Sequence, residues 1–130
     1  MFVSVKIKAN AASVPASGVN VCALVASDSA SCAVTTSGEL FTWGNGDCGR
    51  LGHGDDSDQF APKRVDALVG KWVVAVTCGI RHTIAVVRDG GVFGSGHAKG
   101  LGLPEAAAAV PYDGECVFVP CRYKQLTCLP

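Results

Sequence analysis

Residues 21–44 can be laid on residues 73–96 at an offset of 52, and this internal repeat constrains the fold of the 130-residue chain more than any other feature. Val21 meets Val73, Ala23 meets Ala75, Ala33 meets Ala85, Val34 meets Val86, Gly38 meets Gly90, Phe41 meets Phe93 and Gly44 meets Gly96. A period of about 50 residues with short strands, turn glycines and aromatics is the signature of radial β architectures, in which each unit is a small sheet that cannot bury its own faces alone.

The local pattern agrees with strands. Val21 to Val25 and Ser31 to Thr35 are β-prone runs, and Ser37-Gly38 supplies a tight turn into Glu39 to Trp43. In the second copy the same places hold Trp72 to Cys78, Thr83 to Arg88, the Asp89-Gly90 turn and Gly91 to Ser95. Asp-Gly between two β runs is a strong hairpin signal, because glycine takes the positive φ of a primed turn without steric cost. Gly96 to Gly102 repeats the segment Gly44 to Gly54 with two residues deleted, and Pro120-Cys-Arg-Tyr123 with Leu126 resembles Pro62-Lys-Arg-Val65 with Leu68. Repeat 1 therefore spans about 21–70, repeat 2 about 71–119, and a third unit starts near Pro120. Residues 1–20, rich in Ala, Ser, Pro and Gly after an alternating start, read as a loop-like or weakly ordered leader and not a secretory signal. Ala106 to Val110 predicts a brief helical turn between Pro104 and Pro111, and no long amphipathic helix is visible. The fold class expected is all-β.

Eleven basic residues balance eleven acidic ones, so the chain lacks the clustered positive charge with which proteins hold nucleic acid or anionic membranes. Its apolar runs are far shorter than the roughly 20 residues a membrane span needs. Seven cysteines, an odd number without a CxxC pair, predict reduced thiols buried as small hydrophobes rather than a disulfide framework or a zinc site. Reduced thiols place the chain in the cytoplasm or nucleus.

Gly44-Asn-Gly-Asp-Cys-Gly49 matches GxGxxG literally, but no helix-forming run follows to receive a pyrophosphate, and the second copy carries a degraded version at Gly94, Gly96 and Gly100. The glycines are therefore expected to serve backbone geometry. His82 stands at the start of a strand, where a locally bonded structural role is expected. Asp55, Asp56 and Asp58 miss the spacing of a calcium loop and read as a solvated acidic loop. No Ser/His/Asp or Cys/His set can be assembled, so neither a catalytic residue, a cofactor nor a metal is expected.

Gly38 to Gly54, Pro62-Lys-Arg-Val65 and Cys78-Gly-Ile-Arg-His-Thr-Ile-Ala85 together resemble the repeat of the regulator of chromosome condensation family. The resemblance covers about residues 21–126 and implies a fragment, about two blades, of a seven-bladed β-propeller built from four-stranded antiparallel blades. In that pattern Gly44, Gly49 and Gly52 shape tight loops, Trp43 and Leu51 pack between blades, and Gly79 and His82 open an inner strand. Gly38, Gly90, Gly96 and Pro62 complete the structural residues of the repeat. Ile80 stands where the photoreceptor branch of the family has a light-absorbing tryptophan, which speaks against photoreception.

Functionally the resemblance implies a protein-interaction module, part of a larger scaffold or ubiquitin-ligase-like protein, whose partner is a small GTPase or a ubiquitination substrate. The alternatives are a guanine nucleotide exchange regulator of a Ran-like GTPase and a truncated gene product without independent function. Arg50, His53, Asp55, Asp56 and Arg81 are the polar loop residues expected to touch a protein partner. Two units leave an apolar face uncovered, so an isolated chain is expected to self-associate.

Overall fold

The computed structural model describes residues 20–102 and 116–123. The expected leader, Asn20 apart, and the expected turn at Ala106 to Val110 lie outside the described residues. Eight strands run in chain order: β1 (Val21–Ala26), β2 (Ala30–Thr35), β3 (Leu40–Gly44), β4 (Gln59–Arg64), β5 (Val73–Cys78), β6 (His82–Val87), β7 (Val92–His97) and β8 (Cys116–Arg122). They form two four-stranded sheets, β1-β2-β3-β4 and β5-β6-β7-β8, each an antiparallel meander. A single helical turn, α1 (Ala98–Leu101), follows β7.

The repeat is carried by backbone hydrogen bonds and not only by side chains. Ser27 N donates to Ala30 O at 2.8 Å, and 52 residues on Gly79 N donates to His82 O at 2.7 Å. The turn bonds Thr35 N to Glu39 O at 3.0 Å and Val87 N to Gly91 O at 2.9 Å are another such pair. Register irregularities recur too, between Val21 and Ala23 and again between Val73 and Ala75. Gly44 and Gly96 take φ of 109° and 115°, and a side chain there would run into the backbone carbonyls of Ser29 and Arg81. Both copies need glycine for the same reason: a left-handed residue where the next loop crosses close behind the strand.

Pro62 and Pro120 occupy β4 and β8, the edge strands, where the missing N–H costs no ladder bond. Pro120 thus lies in the outer strand of the second sheet, where the sequence comparison sets the opening of a third unit. The equivalence with Pro62 explains the difference, since Pro62 itself closes the first sheet.

The sheets meet through Cys32, Val34, Leu40, Val65, Leu68, Val73, Ala85 and Val87, all buried. Strand β2 lies inside its sheet and against β5, and only Ser31 on it is more than marginally exposed. Strand β6 shows the alternation of a half-covered sheet, burying Thr83, Ala85 and Val87 and leaving His82, Ile84 and Val86 half-buried. On the first strands of the two sheets Leu24 and Val74 are 57% and 50% exposed.

One expectation is overturned here. Cys48 and Cys116 are joined in a disulfide. Spacing along the chain gave no hint of it because the pairing is set by contact between the two sheets, 68 residues apart in sequence. Cys32, buried, and Cys22 and Cys78 are free thiols.

Candidate functional site

The segment Gly44 to Gly54 connects β3 to β4, yet its 3-10 turn packs against β7 and β8 of the second sheet. Its GxGxxG opens no helix. Instead Asp47–Gly49 form one 3-10 turn in which Cys48 takes φ 62° and Gly49 φ 69°, a curl that aims Arg50 back at the seam. Leu51, 2% exposed, shares the lining of a small space of about 10 Å³ with Thr83, Ala85, Phe93, Ser95 and Pro120 of the second sheet. It packs between the two sheets. Gly52 lies against Pro120, where an added Cβ would come within 3.1 Å of the ring. Trp43 is half-buried on β3 opposite Ser31.

Arg50 is the centre of this seam and is 6% exposed. Its Nε donates to Asp47 O at 3.0 Å, and Nη1 donates to Ser29 Oγ and to Ile80 O, each at 2.6 Å. Its own carbonyl accepts from Thr83 Oγ1 at 2.7 Å and Ser95 Oγ at 3.5 Å. A guanidinium is suited to this, because its planar fork offers several donors and is weakly hydrated for a cation. Arg50, one of the polar loop residues expected to touch a partner, is buried here and positions three loops. Two of its three acceptors, Ser29 Oγ and the Ile80 carbonyl, lie 21 and 30 residues away in sequence.

His53 is half-buried, with Nε2 at 2.8 Å from Thr42 Oγ1 and 3.3 Å from Thr42 O. The single Thr42 hydroxyl proton goes to Leu51 O at 2.6 Å, so Nε2 carries hydrogen and donates. Burial pushes the His53 pKa below the ordinary 6.5. The Thr42 carbonyl opposes that shift, Lys63 adds to it, and Asp55 and Asp66 pull weakly back. His82 opens β6 with its ring against two glycines: an added Cβ would lie 2.7 Å from Nε2 at Gly79 and 2.9 Å from Nδ1 at Gly100.

Asp55, Asp56 and Arg81 are exposed, as is Ile80 at 64%. The acidic loop is held from within, since Asp58 Oδ1 accepts from Gly46 N at 2.8 Å and Asp55 Oδ1 from Ser57 N at 3.1 Å. Ile80 and Arg81 follow Gly79 in the β5–β6 loop, whose Ile80 carbonyl is bonded to Arg50. The structure thus links the β1–β2 loop, the glycine segment and the β5–β6 loop at one end of the sheets through a buried cation. Ile80 was not among the expected contact residues; a large apolar side chain next to glycine in a loop was the signal for it.

The opposite end of the strands carries the hairpin turns and a groove of about 310 Å³ lined by Glu39, Leu40, Arg64, Leu68, Val69 and Trp72 among others. Glu39 and Arg64 pair across it at 3.5 Å, and Arg64 also reaches Asp66 at 3.1 Å. The Arg88 guanidinium lies 4.0 Å over the Trp72 ring. Among the described residues no helix is long and apolar enough to cross a membrane.

Two twisted four-stranded meanders, joined face to face with the loop of one plugged into the next, are two blades of a β-propeller. Models described as the regulator of chromosome condensation (RCC1) repeat match residues 37–86 and residues 21–50, and the chain belongs to that family. It is 41% identical over 98 residues to the E3 ubiquitin-protein ligase HERC2 of Homo sapiens, covering 66% of this chain and 2% of the ligase. It is 38% identical over 109 residues to Protein RCC2 of Mus musculus, covering 78% of this chain and 20% of that protein. The crystal structure of human WBSCR16 superposes with a TM-score of 0.67 at 27% identity, over 79% of this chain and 25% of that one. The chain spans a quarter or less of each of these proteins.

Proposed function

We propose that this chain is a protein-interaction module, without catalytic activity of its own, acting as part of a larger scaffold or ubiquitin-ligase-like assembly in the cytoplasm or nucleus. The observation that carries the reading is the buried Arg50, which ties three loops together at one end of the blades. Loops fixed by a rigid framework are where binding residues concentrate. Exposed on two of these loops are Asp55 and Asp56 on one side and Ile80 and Arg81 on the other. Exposed apolar and charged side chains of both signs suit a protein surface better than a polyanion, for which the charge balance is wrong. His53, half-buried, would orient the acidic loop and not touch the partner.

The test is charge reversal in the full-length protein. Asp55→Lys with Asp56→Lys, and separately Ile80→Asp with Arg81→Glu, are expected to lower affinity for the bound protein at least tenfold, about 1.4 kcal/mol, with the melting midpoint kept. Retention of every partner by both variants would remove this surface from the reading. Guanine nucleotide exchange on a Ran-like GTPase, the other activity the resemblance implies, is read directly as faster release of labelled nucleotide.

A further inference from the structure

We propose that Cys48 and Cys116 form a reversible dithiol–disulfide site that latches the second blade's outer strand to the first blade's glycine loop, with a low-molecular-weight disulfide of the glutathione type as its oxidant.

The inference rests on where the bond lies. Cys116 is the first residue of β8, pairing with His97 of β7. As an edge strand β8 has a hydrogen-bonded neighbour on one side only, and the disulfide adds a covalent link to the other blade. Cys48 is the middle residue of the 3-10 turn in the other blade, and at φ 62° is the only non-glycine residue with positive φ among the described residues. A residue other than glycine in that conformation costs the fold something, and the disulfide is a reason for its presence. Cys48 stands two residues from Arg50, so the bond also bears on the guanidinium clamp and on the contact of Gly52 with Pro120. Both cysteines are partly exposed, which lets a small oxidant or reductant reach them.

Exchange proceeds through ordinary thiolate chemistry. The Cys48 thiolate attacks one sulfur of oxidised glutathione, forming a mixed disulfide and releasing one glutathione thiolate. The Cys116 thiolate then attacks the Cys48 sulfur, closing the protein disulfide and releasing the second glutathione. Two protein thiols lose two protons and two electrons, and one glutathione disulfide becomes two thiols. Reduced glutathione in excess runs the same steps backwards. Cys32 supplies an internal control: burial and the neighbouring Cys78 sulfur drive its pKa far up, so it lacks the thiolate the first step requires.

The experiment equilibrates the full chain across ratios of reduced to oxidised glutathione and traps thiols with an alkylating agent. Expected is joint conversion of Cys48 and Cys116 at one ratio, recovered as a single cross-linked peptide, with Cys32 alkylated only after unfolding. Limited thermolysin digestion should then cut the seam at least about tenfold faster after reduction. Two variants, Cys48→Gly, which suits the left-handed turn, and Cys116→Ser, should show the fast rate at every ratio. Failure to find the Cys48–Cys116 peptide at any ratio, or equal cleavage of oxidised and reduced wild type, would overturn the proposal.

Discussion

The Arg50 guanidinium donates to the Ile80 main-chain carbonyl at 2.6 Å, so a side chain from one blade is bonded to the backbone of the next. The contact joins a loop that follows β3 to the loop that precedes β6. It needs no particular side chain at position 80, which leaves Ile80 free to face solvent. Structure and exposure are thereby separated at neighbouring atoms: the carbonyl holds the seam and the side chain remains available.

Truncating Arg50 removes three charge-assisted hydrogen bonds from a buried place. Arg50→Ala should cost about 2–3 kcal/mol in urea unfolding, the range found when a buried bond to a charged group is lost. Arg50→Lys should recover only part of this, since one ammonium cannot span Asp47, Ser29 and Ile80 as the fork does. A loss below about 0.5 kcal/mol for the alanine variant would mean that the clamp contributes little to the seam.

His53 gives stability a pH dependence whose sign follows from burial. Its folded pKa lies below the ordinary 6.5, so as pH falls from there the unfolded chain binds the proton first. The contribution of the neutral, Thr42-bonded ring is whole above that value and is lost progressively below it. Unfolding free energy measured from roughly pH 7.5 to 5.5 should fall more steeply for the wild type than for His53→Gln, which keeps a donor near Nε2 without titrating. Parallel curves would show that the ring is as easily protonated in the folded protein as outside it.

Much of the fold was legible because a turn glycine and its hydrogen bonds must recur together. Gly38 and Gly90 mark equivalent hairpins, Gly44 and Gly96 equivalent crossings, and the strands between them follow. The seam was less legible. Arg50 reads as a polar loop residue open to a partner when only neighbours in sequence are weighed, but two of its three acceptors lie 21 and 30 residues away. Cys116 has no cysteine counterpart, since the alignment that sets Pro120 on Pro62 puts it opposite Asp58. A contact made once between unlike copies leaves no mark in the period that reveals the copies.

The two hairpin glycines, alike in sequence, differ in what surrounds them. Gly38 has φ 81° and an added Cβ would lie 2.6 Å from Trp72 Cγ, whereas Gly90 has φ 88° with nothing within 4 Å. Gly90→Val should therefore cost the backbone strain alone, about 1–2 kcal/mol, and Gly38→Val about 3 kcal/mol or more because the indole must also move. The Trp72 emission should shift in the second variant and not in the first. Equal losses with no spectral change would show that Trp72 does not rest on the Gly38 turn.

The blades also differ by an exchange of bulk between two positions. In the first, Thr42 Oγ1 donates to Leu51 O at 2.6 Å while Val65 lines the same small space as Leu51. In the second, Gly94 stands where Thr42 would be and Tyr123 where Val65 would be, and Tyr123 Oη donates to Leu101 O at 2.8 Å. An added Cβ at Gly94 would lie 3.0 Å from Tyr123 Oη and 2.8 Å from Leu101 Cδ2. The larger ring reaches the same loop carbonyl from the outer strand only because glycine makes room. Gly94→Thr alone should clash, and Tyr123→Val alone should leave a hole and an unpaired carbonyl. Together they rebuild the first blade's arrangement, with a coupling free energy of about 1–2 kcal/mol in a double-mutant cycle. Simple additivity of the two losses would mean that the residues do not share one space, and that the matching carbonyl bonds of the two blades arose independently of it.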